Sequence, residues 1–178
     1  LMTAVRPFKL DIPQSEIEDL RGRLQSARWP ESETVVDWSQ GVPLDYHLEF
    51  CSYWARDYNW YQTQERLNRY GQFVTKIDEI DIHFLHIRSS HEDAVPIIMT
   101  HGWPGSIIEF LKVLEPLAEP TRHGGPPEEA FHIVCPSLPG YGFSGKPTSI
   151  GWGVEKIATA WDTLMLRLGY DKYLAQGG

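Results

Sequence analysis

The stretch HGWPG, residues 101–105, directly follows the apolar run VPIIMT and combines residue types that can present a main-chain donor. Gly102 permits close backbone approach and Pro104 fixes the local φ. The N–H of Trp103 can therefore be held outward, ready for negative charge developing on an oxygen, with His101 leading into the turn. The same pattern also suits a plain tight turn before a helix, and the five residues alone leave both readings open. A second marked loop, SLPGYGFS at 137–144, follows the apolar run FHIVC and turns on Gly140 and Gly142. By itself it reads more readily as a loop than as a site. The third stretch is QGG at 176–178. An apolar strand running into Gly177 and Gly178 has the small residues that a strained nucleophile elbow needs for close packing. Gly177 would be the first small position, Gly178 the free one, and the nucleophile the next residue.

These three stretches need a scaffold that brings them together, and the hydrophobic pattern supplies one. Residues 1–72 read as helical and rich in aromatics. Ile17, Leu20 and Leu24 share one helical face, with Arg28, Trp29 and Pro30 ending that helix; a second begins at Leu44 and carries Leu48, Cys51, Trp54, Ala55 and Tyr58. Asn59 breaks it, and Trp60, Gln64 and Leu67 continue in a third piece. The aromatic face is expected to pack rather than to bind a ligand, since such side chains bury large area at low entropy cost. From Phe73 the period changes to that of strands. FVTKI and IDIHFLHI predict a hairpin turning at Asp78 and Glu79, and VPIIM, FHIVC and KYLAQ predict three parallel strands, the first buried on both faces. A helix is expected over 106–118. Another carries Val154, Ile157, Ala158, Trp161, Met165 and Leu168 on one side and stops at Gly169. Strand, helix, strand, helix, strand is the grammar of an open α/β sheet, and ligands in such sheets bind beyond the carboxyl ends of the strands. All three marked stretches stand there.

Composition limits the chemistry. A hydrophobic share of 42% with 22% charged residues is that of a globular chain, and a formal net charge of −8 gives phosphate backbones and anionic membranes nothing to bind. No nucleic-acid partner and no membrane span are expected, and LMTAVRPFKL lacks the apolar core of a signal peptide. A cytoplasmic location follows as an expectation. Cys51 and Cys135 share no close spacing and suggest neither a disulfide framework nor a zinc site. His83 and His86, three apart on a strand, point to opposite faces and cannot readily chelate one ion. No metal is expected.

Taken together, RGRLQSARWPE, YWARDYNWYQTQERLN, QFVTKIDEIDIHFLHIRS, HGWPGS and PSLPGYGFS resemble the N-terminal part of epoxide hydrolases of the microsomal and juvenile-hormone type, within the α/β-hydrolase superfamily. The resemblance runs from about Phe8 to Gly178. Asn59 stands where the family often has Asp, and Tyr70 with Gly71 where a Pro is common. The resemblance implies an α/β-hydrolase fold, incomplete at its first five strands. Residues 1–72 would form the helical N-terminal segment and 73–178 the first part of the catalytic domain. It implies a small-molecule epoxide substrate, water addition to give a vicinal diol, no metal or organic cofactor, and a homodimer. It further implies that Trp103 acts through its backbone N–H as an oxyanion donor, supported by His101, Gly102, Pro104, Gly177 and Gly178. An aspartate nucleophile immediately after Gly178, a histidine base with its acid, and two lid tyrosines would all lie further on, so that this chain alone is expected to be catalytically incomplete. An esterase or dehalogenase on the same sheet, with the residue after Gly178 deciding between Ser and Asp, and a non-catalytic assembly module are the alternatives.

Overall fold

The computed structural model describes residues 4–178; Leu1 to Thr3, with which the segment 1–72 begins, lie outside the described residues. Two compact units are present. One comprises Leu10–Leu67, and the other comprises Asn68–Gly178 together with the start of the chain up to Lys9.

In the first unit, helix α1 (Gln14–Gln25) packs against α2 (Leu44–Arg56), and α3 (Trp60–Asn68) follows. α1 ends at Gln25, earlier than Pro30 suggests, with Ser26 closing it by donating its N–H to the Gly22 carbonyl. Asn59 does more than break a helix. Its side-chain oxygen accepts the Tyr61 N–H at 3.1 Å, capping α3 as an aspartate would. α2 buries only Cys51 and Ala55 among the described residues, while Tyr46, Phe50, Tyr53 and Trp54 stay exposed.

The second unit is a six-stranded mixed sheet ordered β1-β2-β3-β5-β4-β6. Its strands are β1 (Arg6–Pro7), β2 (Gln72–Ile77), β3 (Ile80–Ile87), β4 (Val95–Thr100), β5 (Phe131–Pro136) and β6 (Leu174–Gly177). The first, a two-residue strand antiparallel to β2, raises the count above the five expected; its RP dipeptide carries no strand pattern. β2 and β3 form the hairpin, and Asp78 and Glu79 both take positive φ, 44° and 67°, as a primed turn requires. Gly71 lies just before β2, where a side chain would press on the His86 carbonyl oxygen while the Gly71 carbonyl accepts the His86 N–H at 2.8 Å. β5 pairs antiparallel with β3 and parallel with β4, and β6 pairs parallel with β4. β4 is buried only towards its carboxyl end: Ile98 and Met99 are covered, whereas Val95 at its start is exposed.

Helix α5 (Val154–Arg167) covers one face. Ala160, Trp161, Leu164 and Met165 pack with Ile80, Ile82, Phe84, Ile98 and Val134. Its buried side is rotated from the expected one: Val154 and Ala158 face solvent, and Ala160 and Leu164 take their place. The helix stops as expected, with Gly169 at φ 89°. Ile133 and Cys135 alternate to the opposite face, where α4 (Leu114–Ala118) lies along β5. The single helix expected over 106–118 is instead a 3-10 turn, Ile107–Phe110, followed by α4. Pro116 explains the interruption. It has no N–H for a helix begun at Ser106, and its ring would strike the Lys112 carbonyl, so the helix restarts with Pro116 in its first turn.

Candidate active site

Parallel pairing puts the carboxyl ends of β4, β5 and β6 at one edge of the sheet, and the three glycine-marked stretches begin there. The register aligns Thr100 with Gly177, which sets Gly178 beside the turn at 101–105. The approach is close: a Cβ placed on Gly102 would overlap the Gly178 carbonyl oxygen. Only glycine at 102 lets these two backbones meet.

The turn is held from inside. Gly102 accepts the Gly105 N–H at 2.8 Å, and the Trp103–Pro104 peptide is cis. Ser106 and Glu109 form a reciprocal capping box, with the Ser106 N–H donated to the Glu109 carboxylate at 3.1 Å. Gly105 makes room for that carboxylate, which a Cβ there would displace. His101 is buried. Its Nε2 accepts the Leu138 N–H at 3.1 Å, and its Nδ1 lies 3.1 Å from the Gly102 carbonyl oxygen. The Tyr141 ring meets the imidazole edge-on at 5.5 Å. Trp103 itself is 82% exposed, and its N–H forms no hydrogen bond among the described residues.

The loop at 137–144 is bound more firmly than its sequence suggests. Ser137 donates its N–H to the His83 carbonyl at 2.8 Å, and the Ser144 hydroxyl donates to the Ser137 carbonyl at 2.7 Å while accepting the His83 N–H at 3.0 Å. Gly145 then donates to the Asp81 carbonyl at 2.7 Å, so both ends of the loop are tied to β3. The His83 ring lies between Ser137 Oγ at 2.9 Å and Gln72 Oε1 at 3.0 Å, and Gln72 donates on to Asn68 at 2.8 Å. Serine, histidine and an amide in a row have the look of hydrolytic machinery. Here Phe8 and Phe143 close over the imidazole, and both Ser137 and His83 are shut from solvent, so no substrate can reach them. Burial pushes the His83 imidazole down to about 4, fixing it neutral. His86 faces the other side of the sheet and meets the Tyr170 hydroxyl at 2.9 Å, as strand alternation predicts. Burial, with the nearby charges of Arg88 and His132, also lowers it to about 4. Cys135 is a buried thiol, pushed up to about 12 by desolvation.

Of the residues singled out in the sequence, His101, Gly102, Trp103, Pro104, Gly177 and Gly178 come together at the sheet edge. Of the residues that secure them, Ser137, Leu138 and Ser144 lie in the marked loop, whereas His83 carried no such signal. Their roles depend on pairing across 54 to 61 residues of chain for His83 with Ser137 and Ser144. No spacing within one motif could reveal that.

Comparison with known proteins shows the family and the fold. Residues 5–110 match the family described as the epoxide hydrolase N terminus, and residues 95–178 match the alpha/beta hydrolase fold. A relative from Stigmatella aurantiaca is 55% identical over 174 residues, 98% of this chain and 40% of its own length. Epoxide hydrolase 1 of Sus scrofa is 37% identical over 98% of this chain and 39% of its own. The solved epoxide hydrolase of Aspergillus niger superposes with a TM-score of 0.85 at 34% identity, covering 99% of this chain and 46% of that one. The chain thus spans about 40% of the length of the curated relatives it matches. Among the described residues no helix is long and apolar enough to cross a membrane. A turn with an unspent donor, set against a glycine-ended strand on this sheet and matched over most of its length, identifies the chain as a member of the epoxide hydrolase N-terminus family with the α/β-hydrolase fold.

Proposed function

We propose that this chain supplies the oxyanion donor of an epoxide hydrolase that adds water to a small-molecule epoxide to give a vicinal diol. The observation that carries the reading is the Trp103 N–H, without an acceptor among the described residues, in a turn packed against Gly178. In the reaction, an aspartate that follows Gly178 in the whole protein attacks one epoxide carbon. The new carbon–oxygen bond forms as the ring bond breaks, and the freed alkoxide takes a proton from a lid tyrosine. A histidine-activated water then adds to the ester carbonyl, placing negative charge on its oxygen. There the Trp103 N–H, with the N–H following the nucleophile, stabilises the tetrahedral intermediate before it collapses to diol and carboxylate. Neither metal nor organic cofactor takes part. Residues 73–178 act as the first part of the catalytic domain and 1–72 as the helical N-terminal segment that wraps around that domain and its lid in the whole protein. The reading also carries a cytoplasmic homodimer, checked by cell fractionation and sedimentation.

The test compares the whole protein with the 178-residue chain on a reactive aryl epoxide, measuring diol above the buffer rate. The whole protein should form diol, and acid quenching should trap substrate mass on the peptide that follows Gly178. Diol formation by the short chain alone would overturn the assignment of the nucleophile. A whole protein that hydrolyses esters but no epoxide would place it among the esterases.

A further inference from the structure

We infer that His101 is a positioning residue for the oxyanion donor, acting through the Gly102 carbonyl. The inference rests on the reading of Trp103 given above and assigns to His101 a role which that reading leaves open.

A trans peptide is a rigid plane in which the carbonyl of one residue and the N–H of the next point in opposite directions. The Gly102 carbonyl and the Trp103 N–H belong to one such plane. Whatever fixes the carbonyl therefore aims the N–H. Two donors converge on that oxygen, the Gly105 N–H at 2.8 Å and the His101 ring at 3.1 Å. The first is made within the turn and moves with it. The second comes from a buried imidazole anchored outside the turn, and so ties the plane to the body of the sheet.

The tautomer follows from the partners. A backbone N–H can only donate, so the ring nitrogen that meets Leu138, Nε2, must be the acceptor. The ring proton of the neutral imidazole then sits on Nδ1 and is donated to the Gly102 oxygen. Leu138 is itself well placed to enforce this choice, because its neighbour Ser137 is held to β3 by the His83 carbonyl and ring. A continuous path of hydrogen bonds and one short piece of backbone thus runs from Asn68 and Gln72 through His83 and Ser137 to Leu138, His101 and the Gly102–Trp103 peptide. The sealed His83 cluster, unable to react, serves as its footing.

A histidine that merely staples two loops would need only the Leu138 bond. Two substitutions in the whole protein separate the alternatives. In His101→Asn the amide nitrogen can occupy the place of Nδ1, keeping a donor for Gly102 and losing Leu138. In His101→Gln the amide oxygen can occupy the place of Nε2, keeping Leu138 and losing the donor. If His101 aims the oxyanion donor, H101N should keep kcat within about 3-fold. H101Q should lose about 10- to 100-fold in kcat, less than the 10²- to 10³-fold that follows removal of a donor outright, with KM falling alongside it because only the hydrolysis of the ester is slowed. Rapid-quench measurements should show ester forming at the unaltered rate in H101Q and then accumulating. Turnover of H101Q equal to or above that of H101N, or ester formation slowed as much as its hydrolysis, would overturn the inference. Should a variant fail to fold, the unaltered whole protein still decides: ¹⁵N NMR of labelled histidine should find His101 protonated at Nδ1, and protonation at Nε2 would end the argument. An unaltered protein that makes no diol would instead count against the proposed reaction, leaving the tautomer measurement to stand by itself.

Discussion

Gly102 has no room for a side chain: its Cβ position would overlap the carbonyl oxygen of Gly178, whose neighbour Gly177 is paired with Thr100. Gly102→Ala should therefore lower stability by about 1–3 kcal/mol, the usual cost of overpacking, as read from a thermal melt. Gly105→Ala should cost less, because there the obstruction is the Glu109 carboxylate, which can leave its cap. His83 gives a pH signature. Its unfolded imidazole binds a proton near 6.5 and its folded one only at about 4. Between those values the unfolded chain holds more protons, so stability is complete above about 6.5 and falls as the pH drops towards 4. The loss reaches on the order of 3 kcal/mol. Chemical denaturation across that window should show the slope, to which the similarly lowered His86 adds, and His83→Gln should make it shallower even while lowering stability at neutral pH. The sequence made the glycines and Trp103 legible because turn chemistry is local. It could not expose His83 as a footing, because a histidine in a strand declares its face but not the residue from a distant loop that meets it there.

Secondary structure was legible wherever one local rule governed. The hairpin, the start of α2 at Leu44 and the stop at Gly169 all depend on neighbouring residues, and all stand where the pattern put them. Elsewhere competing rules decided. The apolar spacing over 106–118 is helical, yet Pro116 overrides it; Val154 looks like core, yet the sheet accepts the face carrying Ala160 and Leu164. The hairpin turn offers a direct test of how much local chemistry contributes. Glu79 holds φ 67°, a region that costs a residue with a Cβ about 1–2 kcal/mol, and its contact with Lys76 is exposed and 3.9 Å long. Glu79→Gly should raise stability by about 1 kcal/mol, visible as a higher melting temperature. An unchanged or lower value would mean that the turn's strain is already relieved by its surroundings.

As a whole molecule, the chain carries its stability unevenly. Even with the entire chain present, α1 buries no residue fully and α2 buries only Cys51 and Ala55, whereas the sheet unit has a continuous core. Expressed alone, residues 10–67 should be proteolysed readily and show no cooperative thermal transition, since short helices are marginal in water without a partner. A sharp transition would show that this unit sustains itself. The sheet order has a further consequence, for the time before any of this structure exists. The hairpin partners β2 and β3 are adjacent in the chain and can pair within about 1–10 μs. β4, the most apolar strand, leaves the ribosome next, but it does not pair with β3: its ladder partners are β5 and β6, both translated later. At about 5–20 residues per second, the segment from Arg88 to Ala130 must emerge before β5 can bridge the two, and β4 waits unpaired for a few seconds of every synthesis. Ribosome-associated chaperones should therefore find their principal binding segment in VPIIMT, and slowing translation between β4 and β5 should raise the aggregated fraction without altering the stability of the folded chain.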